Sequence, residues 1–168
     1  MNLKIRNEIS ADVDAIDAVT TAAFLNAPHT AHTEQFIVKA LRNAGKLTIS
    51  LVAEVGGDVV GHVAVSPVSI SDGASDWYGL GPISVSPEYQ GQGVGSLLMR
   101  EALRALRERT ASGCVVLGEP SYYGRFSFRS EPGLVLPDVP QEYFQVISFK
   151  GGVPRGVVSY DESFSASA

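Results

Sequence analysis

Gln90-Gly91-Gln92-Gly93-Val94-Gly95 sets three glycines in a short run directly ahead of a helical pattern. Glycines there let the chain turn tightly and let a ligand come close to the backbone. A helix that starts at such a turn leaves its first N–H groups without intrahelical partners. With the positive end of the helix dipole, those donors make a site for a phosphate or pyrophosphate. Two familiar nucleotide loops fail on spacing. A Walker A loop needs a Lys-Ser/Thr pair after its last glycine, and Ser96-Leu97 follows here. A dinucleotide fingerprint counted from Gly91 and Gly93 puts Ser96 at its third small position, a poor match. It should also open a βαβ unit early in the chain, not follow half of it.

Composition narrows the classes. The 168 residues are 45% hydrophobic, enough for one domain with a real core, taken here as residues 1–168 with a frayed tail over 163–168. The net charge of −5 is unlike the basic stripe of a general nucleic-acid binder, so no nucleic-acid partner is expected, and it suits a cationic amine. The single cysteine, Cys114, excludes an internal disulfide framework and fits a reducing cytoplasm. There is no apolar run of membrane-spanning length and no signal-peptide pattern, so no membrane partner is expected.

Periodicity supplies the elements. Leu3 to Ile9 alternates as a strand. Val13, Ile16, Val19 and Ala23 recur at helical spacing after Ser10 and Asp12. A loop over residues 26–32 leads to a second helix capped by Thr33, with Phe36, Ile37, Ala40, Leu41 and Ala44 on its apolar face and Gly45 as its C-terminal cap. Leu47 to Val55 and Val59 to Ile70 form a hairpin around Gly56-Gly57-Asp58. Trp77 to Val85 is a strand in which Gly79, Gly81 and Pro82 predict a bulge or a close ligand approach. The helix from Gly93 to about Thr110 has a buried side (Val94, Leu98, Met99, Ala102, Leu103, Ala105, Leu106) and an arginine-bearing side. Cys114 to Leu117 is a buried strand, a short helix follows Glu119, and Leu134 to Leu136 and Tyr143 to Phe149 are the last strands. The order β-α-α-β-β-β-α-β-α-β-β is mixed α/β around one sheet.

The stretch Leu80-Gly-Pro-Ile-Ser-Val-Ser-Pro-Glu-Tyr-Gln-Gly-Gln-Gly-Val-Gly-Ser-Leu-Leu-Met99 closely resembles motif A of the GNAT superfamily, the acyl-CoA-dependent N-acyltransferases. The resemblance implies the GNAT fold: an α/β protein with a single central mixed β-sheet flanked by helices and a V-shaped split between the fourth and fifth strands. It implies acetyl-CoA as cosubstrate, with the amides of Gln90, Gly91, Gln92, Gly93, Val94, Gly95 and Ser96 holding the coenzyme A pyrophosphate. Ile83, Ser84 and Val85 would run along the pantetheine arm. It further implies direct transfer of an acetyl group to a primary amine on a small molecule or a protein, and it is compatible with a homodimer. The competing class is a non-catalytic acyl-CoA sensor or interaction module with the same fold.

Tyr122-Tyr123-Gly124-Arg125-Phe126-Ser127-Phe128 resembles the family's Tyr-x-x-x-Gly-Phe motif, with Ser127 in place of the usual glycine. Tyr123 then takes the position of the tyrosine that assists the leaving thiolate, while Tyr122, Phe126 and Phe128 are read as packing. A model tyrosine titrates near ~10 and a thiol near ~8.5, so full proton transfer would be uphill by about 2 kcal/mol, and hydrogen bonding costs less.

The general base is open between Glu34, Asp76, Glu119 and a chain of waters. Glu119 precedes the tyrosine helix and is the candidate taken forward, whereas Glu34 follows a helix cap and suits the helix dipole. Arg100 could meet the adenosine 3′-phosphate, or stand on a solvated helix face. Cys114, in an apolar strand, is a poor nucleophile. His29 and His32 are three apart, but no further Cys/His cluster joins them, so no metal is expected. His62 reads as a core or cleft histidine.

Overall fold

The computed structural model describes residues 1–28 and 30–168. The strands are β1 (Leu3–Asn7), β2 (Ile49–Val55), β3 (Asp58–Ile70), β4 (Trp77–Val85), β5 (Gly113–Leu117), β6 (Leu134–Val135), β7 (Phe144–Ser148) and β8 (Gly156–Tyr160). The helices are α1 (Val13–Phe24), α2 (Glu34–Asn43), α3 (Val94–Glu108) and the single turn α4 (Pro120–Tyr123). The main path of the sheet runs β1-β2-β3-β4-β5-β7, and β8 joins β6 to the far end of β3. The β4–β5 and β6–β8 pairs are parallel and the others antiparallel.

Alternation along β3 explains why both faces of the sheet are covered. Val63 and Val65 point to the face that α3 covers with Leu98, Met99, Ala102 and Leu106. Ala64 points to the other face, where it meets Ile16 of α1 and Val38 of α2. A third cluster around Ile70, Trp77, Leu134, Phe144 and Val158 closes the end of the sheet.

The sheet splits between β4 and β5. Their parallel register covers only Trp77↔Gly113, Tyr78↔Cys114 and Gly79↔Val115, after which the strands part. The closed end depends on Gly113, where a Cβ would lie 2.4 Å from the Trp77 ring. Just past the last pair, β4 bulges: Val63 faces Ile83 and Val65 faces Leu80, so Gly81 and Pro82 together oppose Ala64. The extra residue bends the strand, and Pro82 has no N–H to offer a neighbour. The bulge expected from Gly81 and Pro82 is therefore present, at the mouth of the expected V-shaped split.

Two expectations are corrected. The strand β8 was absent from the sequence reading. Its register, Val68↔Tyr160 to Ile70↔Val158, pairs it with residues some ninety positions earlier, a match no local pattern announces. Of the tail expected to fray over 163–168, the first three residues lie in a 3₁₀ turn over Glu162–Ser165, in which Asp161 accepts a hydrogen bond from the Ser163 N–H at 3.0 Å, and residues 166–168 form no regular element. Phe164 packs edge-on to Tyr160 with ring centroids 4.8 Å apart, and that aromatic contact gives the turn something to hold.

Candidate active site

The glycine loop lies between β4 and α3, as its sequence position requires. After a 3₁₀ turn over Pro87–Tyr89, Gly91 and Gly93 take φ values of +76° and +87°. Those are left-handed values that residues bearing a Cβ adopt at a cost. Two glutamine side chains brace the loop: Gln90 Nε2 donates to the Val85 carbonyl and Gln92 Nε2 to the Glu88 carbonyl, both at 3.0 Å. Among the described residues, none of the N–H groups of residues 91–96 donates a hydrogen bond within the protein. The buried side of α3 anchors them, since Val94, Leu98 and Met99 are almost wholly buried. The result is a pocket of about 340 Å³ lined by the loop, Val85, Tyr122 and Arg125. Free amides converging at a helix start, beside a guanidinium, suit an anion.

Arg125 was not singled out in the sequence, although it sits three residues after Tyr122. Its guanidinium lies 4.5 Å from the Tyr122 ring centroid, and its Nη2 is 3.5 Å from Ser96 Oγ on the first turn of α3. Tyr122, read from the sequence as packing, also faces this pocket. A Cβ on Gly95 would stand 3.3 Å from the Tyr122 hydroxyl, so the small residue keeps that hydroxyl beside the loop. Arg100 is exposed on α3, its guanidinium 5.1 Å from the Phe126 ring centroid.

A second pocket, of about 560 Å³, opens where β4 and β5 part. Its walls include Leu80 to Ile83 of β4, Leu117 of β5, Tyr123 of α4, Phe24 and Ile37 from the first two helices, and Tyr160 with Phe164 from the C-terminal segment. Burial pushes the Tyr123 phenol up to about 12, with smaller contributions from Tyr122 and Cys114. It is thus a neutral hydroxyl at physiological pH, able to donate. Tyr123 packs against Tyr122 and Phe128, and Gly118 leaves room for its ring, since a Cβ there would lie 2.5 Å from Tyr123 Cε2.

The carboxylates divide unlike the sequence expectation. Glu119 is exposed at the start of α4, with the Ser121 hydroxyl donating to Oε1 at 3.4 Å, and it lines neither pocket. Its carbonyl accepts a hydrogen bond from the Tyr123 N–H at 3.1 Å, while its side chain is exposed. Asp76 is likewise exposed. Glu34, at the first turn of α2, lines the larger pocket. The Thr30 hydroxyl donates to its Oε2, while its buried Oε1 has no partner among the described residues.

The β4 residues separate by side. Ile83 lines the larger pocket and Val85 the loop pocket. Ser84 turns inward, 3% exposed, with its Oγ 3.3 Å from Thr20 Oγ1, so only its backbone can meet a ligand. Cys114 is fully buried and its thiol is pushed up by desolvation, which removes it as a nucleophile. His62 is a core residue: its Nε2 lies 2.8 Å from Ser50 Oγ, and Ser50 donates to Glu8, which Arg42 holds through two hydrogen bonds. Of the two loop histidines, His29 lies outside the described residues, and His32 places its Nδ1 2.9 Å from the Phe24 carbonyl oxygen. Among the described residues, no three His, Cys, Asp or Glu side chains group as metal ligands would.

A mixed sheet split at a parallel pair, with a loop of undonated amides at a helix start on one arm of the split, defines a class, and the sequence comparison agrees. The family model described as Acetyltransferase (GNAT) family matches residues 14–123, from the first turn of α1 through Tyr123. The chain belongs to that family of N-acetyltransferases. It is 38% identical over 125 residues to the uncharacterized N-acetyltransferase YhbS of Escherichia coli K12, covering 74% of this chain and 72% of that protein. Among solved structures, a GNAT family acetyltransferase from Brucella melitensis in complex with acetyl-CoA superposes with a TM-score of 0.87 at 44% identity, covering 97% of this chain and 98% of that one. Escherichia coli YhbS in complex with CoA gives the same TM-score at 35% identity, covering 97% and 92%.

Proposed function

We propose that this protein transfers the acetyl group of acetyl-CoA to a primary amine by direct attack within a ternary complex. The observation that carries the reading is the run of undonated amides over residues 91–96 beside Arg125, with a second pocket, lined by Tyr123, further back along β4. The amides and Arg125 take the pyrophosphate, and the opened edge of β4 from Ile83 to Val85 runs along the pantetheine arm, leading the thioester to Tyr123. The complexes of the two similar proteins with acetyl-CoA and CoA support this choice of cosubstrate.

The chemistry then follows from the groups at hand. The neutral amine attacks the thioester carbon, forming the C–N bond as the carbonyl π pair moves to oxygen. An amide N–H of the opened β4 edge stabilises that oxygen. The tetrahedral centre collapses, the C–S bond breaks, and the thiolate receives a hydrogen bond or proton from Tyr123. The proton on nitrogen leaves to a carboxylate or to water in the open pocket. Holding amine and thioester together in one cleft supplies several kcal/mol of the rate enhancement. The buried Cys114 takes no part, so no acyl-enzyme forms. The lone free cysteine also favours a reducing cytoplasm as the setting. Among the described residues, no helix is long and apolar enough to cross a membrane.

The test is coenzyme A release from acetyl-CoA across a panel of amines, followed by initial rates with both substrates varied. Intersecting double-reciprocal lines, with activity retained in Cys114→Ala, are expected. Parallel lines would overturn direct attack. Tight acetyl-CoA binding with no release for any amine would assign the fold to a sensor instead.

A further inference from the structure

We infer that the acceptor is a primary amine on an apolar body bearing no carboxylate, and that Glu34 anchors its ammonium group. The inference rests on the acetyltransferase reading above, and it concerns the pocket at the split of the sheet. Among the described residues, Glu34 is the one acidic side chain lining that pocket; the remaining walls are apolar or aromatic apart from two phenols and backbone. Phe24, Ile37, Leu136 and Phe164 come from four separate segments and converge there, so the apolar lining is assembled by the fold and is not the flank of one helix.

The charge pattern selects the ligand by exclusion. A free amino acid would bring its carboxylate to a site where no described lining residue is a Lys, Arg or His that could receive it. A polyamine would bring a second or third ammonium group against an apolar lining whose described residues offer no second carboxylate to pair it. Leaving a charge unpaired in an apolar site costs far more than the contacts around it return. One ammonium group matches one carboxylate. Thr30 occupies Glu34 Oε2, and Oε1 is out of water with no donor among the described residues. A buried carboxylate oxygen without a partner is costly, and an incoming N–H donor relieves that cost. The ammonium bound there would have the apolar chain behind it on Phe24 and Phe164 and the acetyl thioester ahead of it towards Tyr123, and it gives up one proton, to Glu34 or to water, before its nitrogen attacks.

The experiment compares 2-phenylethylamine, phenylalanine, spermidine and a lysine-containing peptide as acceptors. Phenylalanine is 2-phenylethylamine with a carboxylate added, so that pair isolates the charge term. Binding of 2-phenylethylamine to the CoA-bound protein is measured separately by calorimetry, in the wild type and in Glu34→Gln and Glu34→Asp. The expected kcat/KM for 2-phenylethylamine exceeds that for each of the other three by roughly tenfold or more. Glu34→Gln should weaken 2-phenylethylamine binding roughly tenfold or more and leave acetyl-CoA affinity unchanged, with Glu34→Asp between. Equal or better turnover of phenylalanine, spermidine or the peptide overturns the inference, as does wild-type amine binding in Glu34→Gln. Glu34-dependent amine binding without any coenzyme A release would overturn the transfer reaction and leave this assignment standing.

Discussion

Arg125 Nη2 lies 3.5 Å from Ser96 Oγ, so a guanidinium from the segment after β5 hangs over the first turn of the helix that follows β4. The two residues belong to opposite arms of the split sheet and meet only at the mouth of the loop pocket. Arg125→Gln keeps a polar side chain and removes the charge. Acetyl-CoA binding is expected to weaken roughly tenfold, the worth of a charge-assisted hydrogen bond to phosphate, and the loss should shrink as salt is raised. Arg100→Ala is expected to weaken acetyl-CoA more than dephospho-acetyl-CoA. Calorimetry with both ligands at two ionic strengths checks the pair, and unchanged affinity in Arg125→Gln would detach this residue from the phosphate.

Tyr123 and Tyr122 adjoin with ring centroids 5.1 Å apart, yet they face different pockets. Tyr123→Phe deletes the hydroxyl proposed to assist the leaving thiolate and should lower kcat by ~100-fold with little change in acetyl-CoA affinity. Tyr122→Phe should do the reverse, weakening acetyl-CoA roughly two- to tenfold through the lost hydroxyl at the loop and leaving kcat nearly intact. Steady-state kinetics and calorimetry on both variants separate these roles. Equal losses of kcat in both would return the tyrosines to the core.

Gly93 holds φ at +87° with nothing within 4 Å of the point where a Cβ would stand. Space is therefore not its constraint; backbone conformation is. Gly93→Ala is expected to cost about 1–2 kcal/mol of stability and to shift the loop amides, reducing acetyl-CoA affinity in a protein that still folds. Gly95→Ala meets the Tyr122 hydroxyl at 3.3 Å and Val85 Cγ2 at 3.7 Å, a contact that a small shift accommodates. It should be the milder change. Thermal unfolding and ligand titration of the two variants give the order, and equal affinities would remove the loop conformation from the binding model.

Burial holds the His62 imidazole down to about 4, with Glu8 opposing that shift and Arg42 adding to it. The unfolded chain takes up a proton near the ordinary value of 6.5, and the folded chain does not until about 4. Stability therefore falls as pH drops through that window and is fully present above it. The loss is on the order of 3 kcal/mol between neutral pH and about pH 4. His62→Gln, which can still hydrogen-bond to Ser50, should flatten the slope. Urea midpoints at a series of pH values measure it, and an unchanged slope in the variant would place the acid sensitivity elsewhere.

Local chemistry made the loop and its helix readable from sequence. Glycine spacing at residues 91–95 and the apolar stripe of α3 are short-range signals, and they sufficed to place a tight turn with undonated amides at a helix start. The tyrosine motif likewise survives as local sequence, and Ser127 takes φ +75° where a glycine would sit without strain. The acidic side of the site was not readable in the same way. Along the chain Glu119, next to the tyrosine helix, is the better candidate, but its side chain is exposed, and the packing of α2 brings Glu34 into the pocket that Tyr123 also lines. Arg125 meets Ser96 only because the sheet opens between β4 and β5, through the fit of Trp77 over Gly113 on one side of Gly79 and the bulge at Gly81 and Pro82 on the other. Strand β8, which brings Tyr160 and the turn at Phe164 to the larger pocket, pairs with residues far back in the sequence. Sequence determines what each segment can be, because turn and helix preferences act over a few residues. Which side chains share a pocket was decided by tertiary structure, because burial and long-range register act across the whole chain.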